Sequence, residues 1–102
     1  MEPVVVGVPN LTNDQIWAKA KNFANQLKRE KAGLVSDLSE TYNDQSRTAV
    51  ISGKAFGCSA TFGVAVVNQE IAIALINSSF GFGLVESKVR RVLDQNLRKL
   101  FA

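Results

Sequence analysis

The 102-residue sequence predicts an α+β domain of order β-α-β-β-β-β-α, an antiparallel sheet with two helices packed on one of its faces. Three observations predict it. From Gly57 to Ile76, large apolar residues alternate with small ones on either side of a polar break at Asn68-Gln69, the period of a half-buried hairpin. Two other stretches, running on from Thr12 and from Leu84, repeat their apolar residues at steps of three and four, the period of a helix lying on a core. The strand-like stretches between them follow one another without intervening helices, which favours antiparallel pairing.

The hairpin organises the rest. With Asn68-Gln69 as a two-residue turn, Val66 faces Ile71, Val64 faces Ile73 and Phe62 faces Leu75. Asn68 occupies a position where a left-handed backbone is needed and where asparagine adopts it cheaply. All six partners are large and apolar and share one face, so a slip of one residue would turn the whole set away from the core. Each such side chain contributes roughly 1.5–3 kcal/mol when removed from water, which makes this face the floor of the core. The opposite face carries Thr61, Gly63, Ala65, Val67, Ala72, Ala74 and Ile76. A solvated antiparallel face ordinarily alternates to Thr, Lys, Glu or Gln. A tolerated surface of small residues, or a sheet curled over itself, would account for this composition. So would a docking face for a second copy, a partner or an apolar surface, with Thr61, Gly63, Ala65, Ala72 and Ala74 as its residues.

The remaining elements follow in order. Val4-Val5-Val6-Gly7-Val8, between Pro3 and Pro9, reads as a short edge strand. Thr12-Asn13-Asp14-Gln15 is a capping box, in which Thr12 bonds the amide of Gln15 and Gln15 reaches back to the amide of Thr12; Leu11 and Ile16 bracket it as a staple. Ile16, Ala20, Phe23, Ala24 and Leu27 form the apolar stripe of one helix, with Trp17 at its margin, and Gly33 stops it after Lys28, Arg29 and Lys31. Val35–Tyr42 is a polar strand, Asn43-Asp44-Gln45-Ser46 a turn, and Arg47–Phe56 a strand rich in β-formers that ends at Gly57. Phe80-Gly81-Phe82-Gly83 bridges to a helix over Leu84–Phe101, with Val85, Val89, Leu93, Leu97 and Leu100 inward and Glu86, Arg90, Asp94 and Arg98 outward. Phe80 and Phe82, two residues apart, point the same way.

Composition bounds the chemistry. The chain has no histidine, which removes Ser-His-Asp and Cys-His arrangements and the commonest transition-metal ligand. Its one cysteine, Cys58, forms neither an internal disulfide nor a thiolate zinc site, fits a reducing compartment, and reads as a small buried hydrophobe. Asp37 and Glu40 are close in sequence, but a strand sends them to opposite faces. Phe80-Gly81-Phe82-Gly83 lacks the fuller pattern of a phosphate loop, and Glu86 in the following turn would compete with a phosphate. No catalytic residues, cofactor or metal are therefore expected. Tyr42, Arg47 and Cys58 are the only polar handles for a pocket between helices and sheet. Met1-Glu2-Pro3-Val4 lacks the basic start and apolar run of a signal peptide, and the longest apolar stretch is interrupted by Asn68-Gln69-Glu70, so a cytoplasmic protein with no transmembrane segment is expected.

Charge is unevenly placed. The formal net charge is +3, yet the two helical stretches hold ten Lys and Arg against four Asp and Glu. With both helices on one face, Lys28, Arg29, Arg90, Arg91 and Arg98 become a candidate anion-binding face, for which generic solubility and helix-end charge are the alternative.

The chain resembles the polyhydroxyalkanoic acid system family, small bacterial proteins encoded near polyester-granule genes. The likeness spans nearly the whole chain: a short strand, the helix opened by Leu11-Thr12-Asn13-Asp14-Gln15, paired strands with Gly57-Cys58-Ser59-Ala60-Thr61-Phe62-Gly63-Val64, a corner at Phe80-Gly81-Phe82, and a closing helix with Val85-Glu86-Ser87-Lys88-Val89-Arg90-Arg91-Val92-Leu93. The start departs from the family pattern, with Val5-Val6-Gly7-Val8-Pro9 where basic or aromatic residues are usual. The resemblance implies a non-enzymatic role near granules or their proteins. The expectation is thus a non-catalytic interaction module, its partner a granule surface, a granule protein or a second copy forming a homodimer. Nucleic-acid binding through the basic helical face is the alternative.

Overall fold

The computed structural model describes all of residues 1–102. Five strands, β1 (Val4–Gly7), β2 (Val35–Asn43), β3 (Thr48–Ala55), β4 (Cys58–Val67) and β5 (Glu70–Ser78), form one antiparallel sheet in the order β1-β5-β4-β3-β2. Three helices, α1 (Asn13–Ala20), α2 (Phe23–Glu30) and α3 (Glu86–Leu100), cover one face. Ile16, Phe23, Leu27, Val89, Leu93 and Leu97 from the helices join Val4, Ile51, Phe62, Val64, Val66, Ile71 and Ile73 from the sheet in a single buried cluster. None of the helices is long and apolar enough to cross a membrane.

The hairpin register is as expected: Val66 pairs with Ile71, Val64 with Ile73 and Phe62 with Leu75. Asn68 and Gln69 have φ of 53° and 58°, the two left-handed residues of a tight turn whose twist matches the strands. Gln69 is held there by its surroundings. Its side chain donates to the carbonyls of Pro9 and Leu11 at 2.9 Å each, and its backbone amide donates to Asn13 Oδ1 at 2.7 Å. Phe56-Gly57, with φ of 53° and 79°, makes the same kind of turn between β3 and β4. Two irregularities shape the sheet. The register shifts between Thr61 and Phe62, leaving Ile76 as an extra residue on β5 that lies over Gly63, and it shifts again in β2 between Ser36 and Ser39, where Asp37 has φ 54°.

The helices differ from expectation in three places. The first helix is not continuous: it breaks at Lys21-Asn22 into α1 and α2. Asn22 N–H turns back to the Lys19 carbonyl, and the Lys21 carbonyl accepts instead from the Tyr42 hydroxyl at 3.0 Å. A strand side chain thus takes a carbonyl that a continuous helix would use internally. Second, the last helix begins at Glu86; Phe82–Leu84 is a single 3₁₀ turn entered through Gly81 at φ 90°. Third, that left-handed residue sends the two phenylalanines apart, so that Phe82 is 5% exposed and Phe80 wholly exposed. Trp17, placed at the margin by periodicity, is buried.

Candidate functional site

The face of the sheet turned away from the helices is open. Thr61, Gly63 and Ala65 of β4 lie beside Ala72 and Ala74 of β5, and around them Val5, Val50, Val67 and Ile76 are each more than two-fifths exposed. All five small residues singled out from the sequence therefore share one surface. The cross-strand pairs Gly63–Ala74, Ala65–Ala72 and Val50–Gly63 form its centre, which carries no charge. At Gly63 a Cβ would lie 3.4 Å from Ile76 Cδ1, an ordinary contact with the tip of a side chain, so the position has room for alanine. Charges stand only at the margins, Glu70 at the start of β5 and Lys54 on β3, where Lys54 pairs with Asp37 at 3.5 Å.

The five cations of the helical layer are not assembled into one free surface. Lys28 pairs with Glu40 at 3.7 Å and Arg98 with Asp94 at 3.2 Å. Arg90 folds inward, donating to the Pro3 carbonyl at 3.2 Å while its Nε is buried without a partner. Arg29 and Arg91 are exposed and form no ion pair. Elsewhere in the layer, Lys99 binds Glu30 at 2.8 Å, and this hydrogen bond holds the Glu30 carboxyl below its usual range. Salt bridges exposed to this degree contribute little each, but they occupy cations that a polyanion would have to win.

Tyr42, Arg47 and Cys58 do not meet. Arg47 Nε donates to Asp14 at 2.8 Å beside the β2–β3 loop, and Tyr42 pairs with Ala49 toward that same end, whereas Cys58 pairs with Ala55 at the other. Tyr42 belongs instead to a cluster that periodicity does not reveal. Its ring meets Trp17 edge to face at 5.9 Å, Trp17 Nε1–H donates to Asp44 at 2.7 Å, and Lys21 Nζ binds the same carboxylate at 3.0 Å. The Trp17 bond first, and Lys21 with it, pulls the Asp44 carboxyl below its ordinary range; burial pushes the Tyr42 phenol up. The cluster clamps the α1–α2 break onto the β2–β3 loop and is structural. Asp37 and Glu40 project to opposite sides, to Lys54 and Lys28 respectively. No three His, Cys, Asp or Glu side chains converge.

One further feature lies inside. Between α2, α3 and strands β2 to β4 the core leaves a crevice lined by Phe23, Leu27, Leu38, Phe56, Cys58 and Val92 among others.

Comparison with protein-family models, with curated proteins and with solved structures finds no match to this chain. The functional reading therefore rests on the geometry.

Proposed function

We propose that this protein is a non-catalytic interaction module that pairs with a second copy of itself through the open face of its sheet. The observation that supports the reading is the uncharged, small-residue centre of that face, flanked by Val5, Val50, Val67 and Ile76. A monomer gains nothing from leaving such a surface in water. Small residues let two sheets approach closely, as sheets in sandwiches pack about 10 Å apart. Five strands at about 4.8 Å spacing and about 8 residues long give a flat area of about 600 Å². That approaches the roughly 800 Å² per partner of a standard interface. The marginal charges suit a two-fold arrangement. An axis in the plane of the interface and perpendicular to the Lys54–Glu70 diagonal brings each lysine over the other copy's glutamate.

Sedimentation of the wild type and of Ala74→Lys tests the proposal. The expected result is a wild-type dimer at micromolar concentration and a folded monomer for the variant, because two lysines buried face to face are unpaired. A wild-type monomer at high micromolar concentration overturns it. The resemblance to granule-region proteins suggests the setting, with a granule surface or granule protein contacted by the dimer; co-sedimentation with isolated polyester granules tests that part separately. Nucleic-acid binding gains less from the geometry, since Lys28, Arg90 and Arg98 are already engaged.

A further inference from the structure

One end of the sheet gathers exposed apolar side chains that the open face does not account for. Val35 pairs with Ala55, Ala55 with Cys58 and Ala60 with Ser78, so β2 starts at this end, β3 turns into β4, and β5 leaves. A surface hollow here is lined jointly by Leu34, Phe56, Ser59 and Ser79, which sets the loop before β2 beside the segment after β5. Leu34 is 46% exposed, and Phe80, the residue after Ser79, is wholly exposed. Phe80 is held out by its backbone. Phe82 N–H donates to the Ser79 carbonyl at 3.3 Å and Gly81 has φ 90° and ψ −5°, the geometry of a type II turn with Phe80 at its tip. Both sides of the turn are anchored. Ser79 N–H donates to the Ser59 carbonyl at 2.9 Å, Ser79 Oγ accepts from the Ser59 amide at 3.0 Å, and Phe82 is buried. Turn tips ordinarily carry Gly, Pro or small polar residues, not phenylalanine. The same corner continues to Leu84, 89% exposed, whose N–H donates to the Gly81 carbonyl at 3.0 Å.

Free cations stand beside these residues. Lys88 Nζ lies 5.8 Å from the centre of the Phe56 ring and forms no ion pair. It sits in the first turn of α3, where the helix dipole disfavours a cation, so helix stability does not explain it. The Lys31 carbonyl accepts from the Leu34 amide at 2.9 Å, and its ammonium is likewise unpaired. The nearby carboxylates are engaged elsewhere: Asp37 with Lys54, Glu30 with Lys99, and Glu86 with the Met1 amine.

We propose that this end of the protein docks on an anionic lipid bilayer. Phe80 and Leu84 enter the boundary between headgroups and acyl chains, Leu34 rests against it, and Lys31 and Lys88 lie among the lipid phosphates. Charge complementarity selects that occupant, because an apolar tip beside free cations matches an apolar layer lying behind anionic headgroups. An uncharged apolar surface would leave the two ammonium groups without partners, and a polyanion would leave Phe80 and Leu84 in water. The docking end is separate from the open face and does not rest on the pairing proposed above.

Flotation of the full chain with vesicles tests the proposal, using equimolar phosphatidylcholine and phosphatidylglycerol against phosphatidylcholine alone. The expected result is binding to the anionic vesicles that weakens as salt is raised, and far less binding to the neutral ones. Phe80→Ala should lower the partition coefficient about tenfold, and Lys88→Ala about fivefold at low salt. Both side chains are exposed, so the circular dichroism of each variant should match that of the wild type. In Phe80→Trp the emission should shift to the blue when anionic vesicles are added, whereas the wild type, whose one tryptophan Trp17 is buried, should show no shift. No binding to anionic vesicles, equal binding to neutral ones, or undiminished binding by Phe80→Ala overturns the proposal. Binding to isolated polyester granules with none to vesicles also overturns it, and assigns this end to a polymer surface instead.

Discussion

Asp44 shows how one exposed carboxylate joins parts of the chain far apart in sequence. It accepts from Trp17 and Lys21, and both interactions favour its charged form, so its folded-state pKa lies below the unfolded value. A carboxyl depressed in this way stabilises the fold fully above its unfolded pKa, near ~3.9, and the contribution is lost as pH falls through the folded value. Asp44→Asn should therefore unfold at lower urea than wild type at about pH 7, and the gap should close below about pH 4. A gap unchanged between neutral and strongly acidic pH would show that the carboxylate's charge is not what holds Trp17. Residue by residue, the sequence discloses these roles unevenly. Asn68 in the turn and Thr12 at the helix start carry local signatures, because their partners lie within three positions. Tyr42, Lys21 and Asp44 do not, because their meeting depends on where β2 lies against α1 and α2. The left-handed Gln69 was equally hidden, since its three bonds reach back across more than fifty positions.

At the scale of elements, the capping box at α1 is complete. Gln15 N–H donates to Thr12 Oγ1 at 3.2 Å, and Thr12 N–H donates to Gln15 Oε1 at 2.9 Å. With only eight residues, α1 has little helical stability of its own and depends on its cap and its packing. Thr12→Ala should destabilise the protein by about 1 kcal/mol, with Thr12→Ser restoring most of it; chemical denaturation reads both. A loss below about 0.3 kcal/mol would mean that the buried Ile16 and Trp17 hold the element without its cap. Strand positions and hairpin register were legible because period-two alternation is unambiguous once one turn is placed. The α1–α2 break was not. The apolar stripe from Ile16 to Leu27 runs straight through it, and the interruption comes from a tyrosine outside the helix. Likewise the divergence of Phe80 and Phe82 depends on Gly81 at φ 90°, which glycine permits without announcing it.

For the molecule as a whole, the consequence is a sheet with two unlike faces. Ile71 is fully buried on the helical side, whereas Ile76 is 56% exposed on the other. Ile71→Ala should cost about 2–5 kcal/mol in unfolding free energy. Ile76→Ala should fall within about 0.5 kcal/mol at dilutions where any dimer has dissociated. Comparable losses for the two would mean that the open side is packed in the isolated chain, and the argument for a partner there would fail. The layering and the plain underside were both readable from alternation alone. The crevice was not, because an unfilled volume depends on how the helices tilt over the strands, and no single stretch encodes that.

The borders of the sheet limit what it builds. β1 is four residues between two prolines, and β2 is interrupted by its irregularity at Asp37, so neither outer strand offers a long straight row of free amides and carbonyls. Further chains cannot readily add side by side to lengthen the ribbon. In the proposed pairing association would be left to the broad surface, where a two-fold contact is used up once made, so that assembly would stop at a pair and not grow into a fibre.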